Sequence, residues 1–86
     1  MTMRMNACGL AQQGYKMVAA YVVFLKGQKK LNIECYRKDN SFLVRNWTTG
    51  STAWINEYNN RDDANAEVIR LIKSRVDDGG LFKRTL

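Results

Sequence analysis

Between Leu31 and Lys38 the chain alternates apolar Leu31, Ile33 and Cys35 with Asn32, Glu34 and Tyr36, and after Asn60 this period of two gives way to one of about 3.6. That switch of period is the strongest constraint on the fold. A strand with two unlike faces needs a cover for its apolar side, and a helix with one apolar stripe needs a sheet to lie on.

The residues on either side extend the pattern. Val18 to Lys26 is β-branched and aromatic, and Gly27-Gln28 among lysines supplies a turn. Asp39-Asn40-Ser41 turns the chain before Phe42 to Trp47, and Thr48-Thr49-Gly50-Ser51 turns it again before Thr52 to Tyr58. Asn60 is placed to cap a helix whose first turn holds Asp62 and Asp63, and Ala64, Val68, Leu71, Ile72 and Val76 form its apolar stripe. Gly79 suits the left-handed residue that ends a helix. Leu81 and Phe82 are expected to fold back onto the core, with Lys83 and Arg84 trailing away. The expected fold is α+β: a four-stranded antiparallel meander with one C-terminal helix on one face (ββββα), over residues 17–86. Residues 1–16 are aperiodic and are expected to be a loosely structured arm.

At 86 residues the chain can bury one core but not a second. The apolar run from Val18 to Leu25 is far shorter than the roughly 20 residues of a membrane-spanning helix. Gln12, Gln13, Gly14 and Lys16 break the N-terminal stretch that otherwise resembles a signal peptide, so the expected location is the cytoplasm and no membrane partner is expected. Cys8 and Cys35 are too few and too far apart for a disulfide framework or a Cys-x-x-Cys motif. With no histidine there is no imidazole base, no His-activated nucleophile and no ordinary zinc site. Gly79-Gly80 is not a phosphate-binding loop. No catalytic residue, metal or cofactor is expected, and the chain reads as a binding protein.

Alternation carried through all four strands assigns Leu31, Ile33, Cys35, Phe42, Val44, Ala53 and Ile55 to the face under the helix. The other face then receives Asn32, Glu34, Tyr36, Lys38, Leu43, Arg45, Trp47, Trp54, Asn56 and Tyr58. A one-residue slip exchanges the two sets and puts Trp47 and Trp54 in the core. Charge is also uneven: residues 1–56 carry eight Lys or Arg and two acids, whereas residues 57–86 carry six of each, so the net charge of +6 lies in the first part. Lys26, Lys29 and Lys30 fall in one hairpin, and Arg37, Lys38 and Arg45 lie on neighbouring strands.

Cations among aromatic rings suit single-stranded nucleic acid, because bases stack on the rings while Lys and Arg hold phosphates. The expected site is therefore Tyr36, Arg45, Trp47, Trp54 and Tyr58 as a platform, with Lys26, Lys29, Lys30, Arg37 and Lys38 on the backbone. The alternative is an inhibitor or adaptor, encoded by a phage or mobile element, that uses the same face against a host protein complex. A homodimer through an edge strand is a third arrangement, since strand one or strand four must lie at an edge. A basic sheet followed by Tyr58-Asn59-Asn60-Arg61-Asp62-Asp63-Ala64 is similar in layout to small DNA-binding modules such as integrase arm domains and Trp-Gly-Arg domains. The segment Trp47-Thr48-Thr49-Gly50 lacks the Trp-Gly-Arg run, so no binding residue carries over.

Overall fold

The computed structural model of the chain describes residues 7–86, which run α1 (Ala7–Gln12), β1 (Lys16–Phe24), β2 (Leu31–Lys38), β3 (Ser41–Thr48), β4 (Trp54–Tyr58), α2 (Arg61–Val76) and β5 (Leu81–Arg84). The fold is α+β, an antiparallel sheet with a C-terminal helix followed by one further strand. The sheet has five strands where the sequence led us to expect four, in the order β4-β3-β2-β1-β5. The first four form the expected meander. β5 then returns to pair with the far side of β1, Tyr21 opposite Arg84 and Phe24 opposite Leu81. Strand one is thus interior in the strand order, paired on both sides from Tyr21 to Val23, and the edge strands are β4 and β5. This arrangement suits its composition, because Val18 to Leu25 carries no charge to blunt an exposed edge.

α2 forms as its sequence dictates. The Asn60 side-chain oxygen accepts the Asp63 backbone N–H at 2.8 Å, which satisfies one of the amides that the first turn leaves free. Gly79 lies at φ +95°, and the Gly80 N–H donates to the Arg75 carbonyl, closing the C-terminus. Ala64 and Val68 are buried against Val23, Leu31, Ile33, Cys35 and Val44, with Leu71 and Ile72 at the margin of this cluster.

A second cluster sits on the opposite side of the sheet. Leu10 of α1 is wholly buried there among Tyr36, Leu43 and Ile55, with Tyr15 and Met17 at its edge. Residues 7–16 are therefore not a loose arm, since they build a helix and carry the chain into β1. What was expected of residues 1–6, and of the Cys8 side chain, lies outside the described part. Among the described residues no helix is long and apolar enough to cross a membrane.

The β2–β3 register bears out the alternation there: Cys35 lies opposite Val44 and Tyr36 opposite Leu43. β4 departs from it. Val44 pairs with Asn56, Phe42 with Tyr58 and Asn46 with Trp54, so Trp54, Asn56 and Tyr58 share the α2 side, while Ile55, opposite Arg45, lies on the other side under Leu10. The expected face of β4 is thus inverted. Ala53 falls in the turn before the strand rather than in the core of the sheet.

Candidate nucleic-acid interface

The α1 side of the sheet is built in rows across the strands. Ala20, Glu34, Arg45 and Ile55 form one row, and Val22, Asn32 and Trp47 the next. In the first row the Glu34 Oε1 accepts two hydrogen bonds, from the Tyr36 hydroxyl at 2.8 Å and from the Arg45 Nη1 at 2.6 Å. The Arg45 guanidinium stands 4.0 Å from the centre of the Trp47 ring. Tyr36 is 2% exposed, and burial first, then the hydrogen bond and charge of Glu34, push its phenol well above the ordinary range. These groups form a satisfied polar network that fixes Trp47 in place, at the edge of the area covered by α1.

Beyond Trp47 the same face continues to β1 and β5. Phe24 and Leu81 pair with each other, on the same side as Val22 and Lys83, and they are 40% and 74% exposed. The Lys30 ammonium lies 5.2 Å from the centre of the Phe24 ring. Trp47 and Phe24 are separated by two strand spacings and two residues along the strand, about 12 Å from backbone to backbone. Each ring thus carries a cation on a common face. Lys26 and Lys29 project from the adjoining hairpin, where the Gly27 φ of +82° makes the turn. The Lys29 carbonyl accepts from Arg75, and its ammonium reaches Gly50 in the β3–β4 turn.

The ten residues expected to form the site therefore divide. Lys30, Arg45 and Trp47 gather at one end of the α1 face, and Lys26 and Lys29 lie in the hairpin turn beyond that end. Tyr36 belongs to that face but is buried beneath Leu10, so it presents no ring for stacking. Trp54 is 58% exposed but on the α2 side. Tyr58 is also on the α2 side, partly buried against the main core, with its phenol raised by burial and then by Glu67. Arg37 and Lys38 lie at the far end of β2, about 25 Å of strand from Lys30. Arg37 lies over the Phe42 ring and Lys38 over the Tyr15 ring. The single platform that the sequence suggested does not exist as one surface.

Phe24, Leu81 and Lys83 were missed. Leu81 and Lys83 lie in the four-residue run Leu81-Phe82-Lys83-Arg84 after the Gly79-Gly80 break, which has no alternation of apolar and polar residues and reads as a short strand only once a partner for it is known. Among the described residues no three carboxylate, thiol or imidazole groups gather as metal ligands would. Cys35 is a buried free thiol. Comparison with family models, with curated proteins and with solved structures finds no match.

Proposed function

We propose that this chain is a non-enzymatic cytoplasmic accessory protein that binds single-stranded nucleic acid across the hairpin end of its α1 face. Trp47 and Phe24 stack on bases, and Lys26, Lys29, Lys30 and Lys83 neutralise phosphates. The observation that carries this reading is the pairing of half-buried Trp47 with Arg45 and of exposed Phe24 with Lys30, on one side of the sheet. Arg45 is held by Glu34, so its role is to orient the indole rather than to contact phosphate.

The test is a titration with a single-stranded oligonucleotide at several salt concentrations, followed by tryptophan fluorescence. Four phosphate contacts give a slope of log K against log salt of about −3. Trp47→Ala should weaken binding by about 1–3 kcal/mol through lost stacking, and Trp54→Ala, on the other side, by much less. Binding that ignores salt, or equal losses in the two variants, would refute the reading.

One observation favours the second reading, a host protein complex as partner of an inhibitor or adaptor. β5 is an edge strand, and it exposes Leu81 and Phe82 on its two faces, which suits the addition of a partner's strand. A protein retained in stoichiometric amount from nuclease-treated lysate, and lost on Phe82→Lys, would support it. Partners lost on nuclease treatment would favour nucleic acid.

A further inference from the structure

The α2 side of the sheet contains a cavity of about 490 Å³ between the first half of the helix and β1. Its origin is local. Met17 pairs with Tyr36 and Ala19 with Cys35, so Val18 is an extra residue, and the bulge turns β1 away from its neighbour at this point. Ala19 on the strand and Ala64 on the helix both line the space and are too small to fill it. Val18 and Ile69, both largely exposed, flank its opening, and Cys35 contributes to its lining. The rest of the wall is mixed, with Tyr21, Tyr36, Phe42 and Asn65 and two cations: Arg61 from the first turn of α2, and Arg84 from β5, whose guanidinium lies over the Tyr21 ring and whose Nε–H donates to the Leu86 oxygen at 2.7 Å. No carboxylate side chain lines the cavity. Through Val18 it adjoins a shallower hollow lined by Lys16, Arg37 and Lys38, with Asp39 as the sole acid among its lining residues.

A space of this volume, its lining divided about evenly between apolar and polar atoms, is in the range that takes a small organic molecule with both kinds of surface, and its cationic rim selects the sign of that molecule's charge. We propose that this cavity binds a small amphipathic anion, an aliphatic or aromatic body with a single carboxylate or phosphate head. The body occupies the space between Ala19 and Ala64, and the head meets the Arg61 and Arg84 guanidiniums. Arg84 already acts across this space, since its charge opposes the upward push that burial gives the Cys35 thiol. The site is on the opposite side of the sheet from Trp47 and is independent of the nucleic-acid reading.

Dodecanoate and dodecyl phosphate, with dodecyltrimethylammonium as the cationic control, are titrated into the full chain while backbone amide resonances are followed. The expected result is saturable shifts at Ala19, Tyr21, Val68 and Arg84 with both anions and none with the cation. Arg84→Gln and Arg61→Gln, both at exposed positions, should each weaken binding about tenfold, the size of a hydrogen bond to a charged group. Ile69→Asp, which places a negative charge at the rim without touching the core, should abolish it. Preference between the two anions identifies the head group. Shifts centred on Trp47, equal response to the cation, or affinity unchanged in the two arginine variants would overturn the proposal.

Discussion

Replacing Leu10 by alanine tests whether the α1 side of the sheet is a second core. α1 has six residues, too few to be helical on its own, so its position depends on what Leu10 touches. Leu10 is fully buried with Tyr36, Leu43 and Ile55. The substitution removes three carbon groups at about 0.8 kcal/mol each, or about 2.4 kcal/mol, before any cavity is counted. With the cavity, a loss of about 3 kcal/mol is expected, within the range of buried Leu→Ala changes. A chain of this length has roughly 4–13 kcal/mol to lose, so the melting temperature should fall on the order of 10–20 °C. Urea unfolding followed by tryptophan fluorescence measures it, with Leu43→Ala, from the same cluster, as companion. A change within about 0.5 kcal/mol for Leu10→Ala, beside a large loss for Leu43→Ala, would show that α1 is not part of the core and that the α1 face is open along its whole length.

Stability should also fall at alkaline pH. Burial raises the Cys35 thiol from 9.0 to about 11, so the folded chain keeps the proton after the unfolded chain has released it; stability is full below pH 9 and on the order of 2 kcal/mol is lost as pH rises to 11. Tyr36 shifts in the same direction and adds to the loss above pH 10. Cys35→Ala should flatten the curve of unfolding midpoint against pH between 9 and 10, and parallel curves for the two proteins would contradict this. Asn60→Ala removes the cap on Asp63 and should cost about 1 kcal/mol in the same urea assay. Gly80→Ala should cost about 1–3 kcal/mol, because its Cβ would lie 2.6 Å from the Phe24 carbonyl oxygen and 2.7 Å from that of Arg75, both backbone atoms.

The sequence revealed elements whose pattern is long or chemically marked. β2 alternates over its first five residues, and α2 announces its start with Asn60, Asp62 and Asp63, so both were placed within a residue. β4 was legible as a strand but not in phase. In Trp54-Ile55-Asn56-Glu57-Tyr58 one alternating set has two aromatics and the other has Ile55, so apolarity does not choose between faces. The choice falls to the turn from Thr49 to Ala53, whose geometry the residues do not declare. α1 is shorter than two turns, Leu10 is wholly buried among its residues whose side chains are described, and no periodicity emerges from so few residues. The candidate site inherited these errors: Lys26, Lys29, Lys30 and Trp47 were singled out from composition and the register of β2 and β3, whereas Trp54 and Tyr58 were assigned to the wrong face with β4. Phe24 was visible only as part of an apolar run.

The return of β5 to β1 closes a loop across the whole meander and helix. β5 is four residues long, all of them exposed, at the end of the sheet order, so it is the natural first segment to open while the rest stays folded. Opening leaves the outer hydrogen-bonding edge of β1 bare along a stretch with neither charge nor proline, the kind of edge on which a second molecule can nucleate a strand. β5 is therefore a guard strip. Its Lys83 and Arg84 give the sheet a charged margin where the chain would otherwise present its most adhesive strand to its neighbours.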